Sequence, residues 1–233
     1  MELGYEAIGW YFVFLLAITI HEAAHAYVAY LGGDSTAYNN GQVTLNPIPH
    51  IKHEPVGTVV VPIIALFVMG WPLGFASAPY DPLWAGRHPY RAGLMALAGP
   101  ASNLLLTMLA TVLIWIGLFS GVFESPASIQ GLDHVVTATS DGVWASLANV
   151  LSIVFSLNLL LFVFNLFPFP PLDGSGVISL LLPEKAAVKV QEFLHNPMFS
   201  LIGLLIAWKT FWYVFDPIFV FAWNILHPFS GYG

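Results

Sequence analysis

Four stretches of this chain, residues 5–31, 92–120, 143–168 and 198–226, run almost without charge. Each is long enough to cross the hydrocarbon core of a bilayer, which takes about 20 helical residues. Backbone in lipid has no water to bond to, so each stretch has to close its hydrogen bonds within itself as a helix. Composition agrees: 58% of the 233 residues are hydrophobic and 8% are charged, where a soluble domain carries about a quarter. The 8 Trp and 9 Tyr suit a protein with two membrane–water interfaces. A fifth stretch, "VGTVVVPIIALFVMGWPLGF" at 56–75, has the length of a span but is broken by Pro62, Gly70, Pro72 and Gly74. It reads either as a span or as a re-entrant hairpin. The expected architecture is an all-α polytopic membrane protein, a bundle of about four to six transmembrane helices.

Charge gives the chain a direction. Lys52, Arg87, Arg91, Lys185 and Lys189 fall in 32–54, 76–91 and 169–197, whereas 121–142 holds Glu124, Asp133 and Asp141 and no base. The positive-inside rule then puts the first three segments in the cytoplasm and the N-terminus and 121–142 outside. That assignment requires 56–75 to enter and leave on one side, which favours the hairpin. Lys209, inside the last stretch, either snorkels to the interface or marks a break near Asp216-Pro217. The opening "MELGYE" lacks the basic region of a signal peptide, so the first span is expected to be retained. With net charge -7 and no basic patch, nucleic acid is not an expected partner. With no cysteine, a metal would bind through His, Asp or Glu.

The first span contains "AITIHEAAHAYVAYL". His21 and His25, four residues apart, share a helix face one turn apart, and Glu22 sits beside the first. Two imidazoles at that spacing suit one zinc ion, with a carboxylate placed to take a proton from water. An ordinary polar helix face would explain the trio in water. In lipid it would not, because an unpaired ionisable group at mid-membrane costs roughly 2.5 kcal/mol or more. A hydrolytic zinc site needs a third protein ligand. His50 and His53 occupy a Pro-flanked stretch resembling an interfacial loop, and His88, His134, His195 and His227 lie in loops or at span ends. Asp173 is the better candidate: in "NLFPFPPLDGSGV" a span ends in a Pro-rich break and Asp-Gly opens a short helix. Under the orientation above, the first and third clear spans run the same way, so Asp173 and the two histidines approach the same membrane face.

In residues 41–46, "GQVTLN", polar and apolar side chains alternate as in a half-buried strand. The expectation is a short membrane-associated β segment that pairs with extended substrate, with Thr44 in its middle.

Together, "HEAAH", "AGPASN" at 98–103 and "NLFPFPPLDG" at 165–174 resemble the site-2 protease family of intramembrane zinc metalloproteases. "GQVTLNPIPHI" and "PVGTVVVP" are similar to its small branch without PDZ or CBS domains. The resemblance covers about residues 15–180; Lys52 departs from it, standing where an acid is expected, and the last span carries no family motif. It implies one zinc per chain held by His21, His25 and Asp173, with Glu22 as catalytic acid/base and Asn165 holding the substrate backbone or developing oxyanion. Gly99 and Pro100 read equally as a close helix contact, and Asn103 as a polar bonding partner near the site. The expected domain is single, 1–233, with its core at 5–182 and the apolar segment 198–226 appended. Expected partners are transmembrane protein substrates and the bilayer of the cell membrane, with the active site on the cytoplasmic side. Regulation falls to a membrane partner, prior cleavage or loop gating. The rival reading is a non-proteolytic membrane metal-binding protein or ion carrier using the same ligands.

Overall fold

The computed structural model describes residues 5–129, 131–194 and 197–228. Among the described residues four helices are long and apolar enough to cross a membrane: α1 (Tyr5–Leu31), α6 (Pro89–Phe119), α7 (Val143–Asn165) and α10 (Pro197–Leu226). They coincide with the four stretches read from the sequence to within a few residues at each end. Between α1 and α6 lie the short helices α2 (Thr36–Asn39), α3 (Pro47–His53), a π-turn at Val56–Val60 continued by α4 (Val61–Met69), and α5 (Pro82–Arg87). After α7 come α8 (Asp173–Val177), a 3-10 turn at Ile178–Leu181 and α9 (Glu184–Leu194). Strands β1 (Phe123–Glu124) and β2 (Thr137–Ala138) pair antiparallel in the α6–α7 connection.

α1, α6 and α7 form the centre, with α6 packed against both of the others. Small residues make the α1 contacts close: Ala17, Ala26 and Ala29 are at most 1% exposed. In lipid, where apolar contact alone brings helices together weakly, such close backbone approach is a main source of attraction. α10 lies outside this trio and packs through an aromatic ladder, Phe211, Phe215, Phe219 and Trp223, spaced one helical turn apart. His227 follows the ladder and pins its end to the 121–142 connection, with Nε2 2.7 Å from the Val135 carbonyl and Nδ1 2.8 Å from the Ser125 hydroxyl.

The 56–75 segment turns back on itself. It leaves α3 at 113°, runs out along α4, and stops at Gly70 in a left-handed conformation (φ 82°). Its returning arm then reaches its own start, where the Phe75 amide donates to the Gly57 carbonyl at 3.1 Å. Gly57 and Gly74 permit that crossing, because a Cβ on either would run into the other arm's backbone. The hairpin geometry therefore agrees with the charge-based reading of this segment.

One expectation fails, and one of the two alternatives for Lys209 is ruled out. Residues 41–46 form no strand: they follow a turn at Gly41 (φ 70°) and then bend. The polar side chains that suggested alternation share no common face. Gln42 is buried, the Thr44 hydroxyl accepts from the Asn46 amide at 3.1 Å, and the Asn46 side chain caps α3 at Ile48. Leu45, an inward position in the strand reading, is exposed. α10 also passes unbroken through Asp216 and Pro217, so Lys209 marks no break; its side chain is exposed on the helix surface.

Candidate active site

Three helices and one loop end bring the site together. α1 is uninterrupted by Gly or Pro from residue 10 through residue 31, so His21 and His25 project from one face, with their Nε2 atoms 2.9 Å apart. Asp173, at the first position of α8, turns Oδ2 to both, at 3.1 Å from His21 Nε2 and 3.3 Å from His25 Nε2. A Pro-rich break after α7 (Pro168, Pro170, Pro171) ends the helix and swings the chain back over the bundle, which delivers Asp173 there. The meeting of Asp173 with the two histidines agrees with the parallel course of α1 and α7 read from charge.

The outer ring nitrogens decide what these three groups can do. His25 Nδ1 donates to the Met95 carbonyl at 2.7 Å, an oxygen that can only accept. His21 Nδ1 is 2.6 Å from Asn103 Oδ1. The Asn103 amide nitrogen donates to Asn158 Oδ1 at 2.9 Å, and Asn158 Nδ2 donates to the Val154 carbonyl at 2.8 Å. With both Nδ1 atoms carrying protons, each neutral ring turns an Nε2 lone pair inward, toward the other and toward a carboxylate oxygen. Three electron-pair donors facing one point repel unless a cation lies between them. The spacing fits zinc: Zn–N bonds of about 2.0–2.1 Å in a tetrahedron separate neighbouring ligand atoms by about 3.3 Å.

α6 supplies the wall. A Cβ built on Gly99 would lie 2.5 Å from His21 Nε2 and closer still to His25 Nε2, so only glycine lets this helix reach the donor atoms. Pro100, next to it, lacks the N–H that would bond the Ala96 carbonyl, which loosens the helix ladder where the adjacent Met95 carbonyl serves His25.

Glu22 is 4% exposed, and its Oε2 has no hydrogen-bond partner. Its carboxylate clusters with His21 and His25, all ligand atoms lying within 4.8 Å of one another. A buried carboxylate oxygen without a partner is costly unless the site's own chemistry employs it. Among the described residues this is the one such cluster.

The other expected site residues are placed as follows. Asn103 is fully buried and bonded to His21, so it lies directly behind one of the two inward-facing imidazoles. Asn165 bonds within its own helix, donating to the Leu161 carbonyl at 3.0 Å. Thr44 borders a groove whose walls include Ile20, Ala23, Ala24 and Tyr27 of α1 and Val43 and Leu45 of the bent segment. The Thr44 carbonyl is 3.0 Å from His50 Nε2, so His50 holds this segment. His195 lies outside the described residues. Sequence reasoning missed Met95, whose contribution is a main-chain oxygen, and Asn158, whose signal was available: it is the amide side chain in the apolar run "SIVFSLNLLLFVF".

A buried zinc-type donor set inside a bundle of membrane-crossing helices defines a membrane metalloenzyme. Residues 10–207 match the family model of Peptidase family M50, and the chain belongs to that family, the site-2 proteases. It is a zinc metalloprotease of the membrane. It is 36% identical over 179 residues to YwhC of Bacillus subtilis (strain 168), covering 76% of this chain and 71% of that protein. It is 31% identical to Rip2 of Mycolicibacterium smegmatis (strain ATCC 700084 / mc(2)155) over 173 residues, 73% of this chain and 54% of that one. To Rip2 of Mycobacterium tuberculosis (strain ATCC 25618 / H37Rv) it is 31% identical over 200 residues, 85% of this chain and 64% of that one. Each bears the name "Putative zinc metalloprotease". The chain thus spans less than two thirds of either Rip2 protein. No solved structure gives a significant match.

Proposed function

We propose that this protease hydrolyses peptide bonds within or near transmembrane segments of membrane-protein substrates. In this reading His21, His25 and Asp173 are the zinc ligands and Glu22 is the catalytic acid/base. The observation that carries it is the pairing of three inward electron-pair donors with a buried, unpartnered Glu22 Oε2, all within membrane-crossing helices or at their ends.

Zinc held there supplies Lewis acidity, making water acidic near neutral pH and polarising a peptide carbonyl. Glu22 Oε2 takes the proton of the attacking water and returns it to the leaving amine, so one carboxylate serves as base and then as acid. Gly99 lets α6 close over the donor atoms as a wall without a side chain intruding between them, and the buried helices exclude bulk water. The scissile bond must be presented in unwound chain, since a helix keeps its peptide groups bonded internally. The groove between α1 and residues 43–45 suits an unwound substrate: its walls are mostly apolar and it runs along the helix that carries Glu22. The main-chain groups of Val43 and Leu45 make no hydrogen bond among the described residues and are open to pairing with it. Asn165, at the end of α7, holds the substrate backbone or developing oxyanion. Five of the six bases lie in 32–54, 76–91 and 169–197, the segments that follow α1, precede α6 and follow α7, and by the positive-inside rule this supports an active site on the cytoplasmic side of the cell membrane.

The test uses purified protein in detergent, a panel of single-span substrates and the Glu22→Gln variant. Wild type is expected to cut, and the variant to keep its zinc while losing about 10²–10⁴ in rate. Equal cutting by both, or zinc-loaded wild type that cuts nothing in a broad panel, refutes the proposal.

A further inference from the structure

We infer that Asn158 is a positioning residue for the metal: acting through Asn103, it fixes the tautomer in which His21 offers Nε2 to zinc. The inference rests on the reading that His21, His25 and Asp173 hold the ion.

The two histidines differ in how their tautomers are set. His25 Nδ1 faces the Met95 main-chain carbonyl, which can only accept, so the ring proton stays on Nδ1 and Nε2 is free. His21 Nδ1 faces a side-chain amide, which could offer either its oxygen or its nitrogen in nearly the same shape. If Asn103 presented its NH2 group, His21 Nδ1 would have to accept. The ring proton would then move to Nε2 and point at His25 and Asp173, closing that nitrogen to a metal. His21 is therefore a ligand only while something holds the Asn103 oxygen toward it.

Asn158 does this. Its Oδ1 accepts from Asn103 Nδ2 at 2.9 Å, so a rotated Asn103 would set oxygen against oxygen. Asn158 cannot yield by rotating, because its own Nδ2 donates to the Val154 carbonyl at 2.8 Å, again an oxygen that only accepts. A main-chain carbonyl on α7 thus sets one amide, which sets a second amide on α6, which sets the ring on α1. Asn103 and Asn158 are 0% and 1% exposed, so bulk solvent does not compete for these bonds. Side chains that orient metal-bound histidines commonly contribute 10–100-fold to metal affinity. Here that contribution extends one residue beyond the histidine's own partner.

A bland alternative is that the Asn103–Asn158 pair joins α6 to α7 and does nothing for the metal. The alternatives separate in a double-mutant cycle on the full chain in detergent, reading zinc affinity by competition with a chromophoric chelator and folding by thermal unfolding. Asn158→Leu frees the Asn103 amide to rotate and is expected to weaken zinc 10–100-fold. Asn103→Asp places a carboxylate against His21 Nδ1; both its oxygens accept, so it needs no orienting. In that background the second carboxylate oxygen faces Asn158 Oδ1, so Asn158→Leu removes an oxygen–oxygen contact and is expected not to weaken zinc relative to Asn103→Asp alone. This arm stays readable if Asn158→Leu by itself folds poorly. The inference is overturned if Asn158→Leu binds zinc like wild type, or if it weakens zinc equally in both backgrounds, the signature of a helix contact alone. Wild type without zinc affinity overturns the metal-site reading and this inference with it.

Discussion

Gly99→Ala is the smallest change that tests whether the donor atoms of His21, His25 and Asp173 form a zinc site. The added methyl would lie 2.5 Å from His21 Nε2 and closer to His25 Nε2, whereas ordinary contact begins near 3.4 Å. At least about 0.9 Å of separation must therefore be created between α6 and the rings, against a tolerance of about 0.2 Å in metal–ligand distances. Neither side can give way cheaply. α1 and α6 are packed through buried alanines, and the His25 ring is tied to Met95 on the very helix that would have to retreat. Moving α6 outward also draws Asn103 from His21. The expected loss of zinc affinity exceeds about 100-fold, more than the removal of an orienting partner costs. Gly93→Ala is the control: on the same helix, its Cβ would meet chiefly the end of the Leu180 side chain at 2.9 Å, which can turn aside. Metal content by mass spectrometry, chelator competition and cleavage rate would be compared across the two variants. Gly99→Ala that unfolds like wild type and retains zinc at wild-type affinity would show that the metal does not lie between these atoms.

Thr44→Pro removes the hydroxyl bond to the Asn46 amide and restrains Val43; cleavage should fall while zinc content stays intact, and unchanged cleavage would exclude residues 43–45 from substrate binding. The chain lacks cysteine, so Lys52→Cys and Ser77→Cys each give one exposed thiol, on either flank of the 56–75 hairpin. A membrane-impermeant maleimide should label both from the same face of sealed vesicles; opposite faces would make the segment a full span. Burial pushes the His227 imidazole below its ordinary value, and the bond to the Val135 carbonyl offsets this only in part. A histidine depressed in the folded state contributes its full stability above the unfolded value of about 6.5 and loses it as pH falls below that. The unfolding temperature should thus drop from pH 7.5 to pH 5.5, and His227→Gln should reduce that dependence.

The elements differ in how openly the sequence declared them, and the difference has a physical cause. The four spans were legible because a bilayer leaves a long apolar run no alternative to helix, whatever its neighbours do. The His21–His25 pair was legible for the same reason: once the helix is certain, a four-residue spacing is a statement about geometry. Asp173 needed the further inference that α1 and α7 run parallel, and this was available from a handful of lysines and arginines. Residues 41–46 misled because alternation of polar and apolar side chains records only that something is half buried. Thr44 and Asn46 use their polarity on nearby backbone and on α3 instead of on solvent, and Gln42 is buried.

The same principle that exposed the histidines should have exposed Asn158. A polar side chain deep in an apolar helix is expensive unless paired, so each one implies a partner on another helix. Applied to His21, His25 and Glu22 it leads to a metal; applied equally to Asn103 and Asn158 it links α6 to α7 from the sequence alone. What no sequence pattern could reveal is the direction of the pairing. Which amide atom faces which is settled by Val154, whose side chain is an ordinary aliphatic and whose carbonyl every residue possesses. The orientation of His21 therefore depends on a group invisible in the letters of the chain, and it follows only from tracing each hydrogen bond to an atom with a single available role.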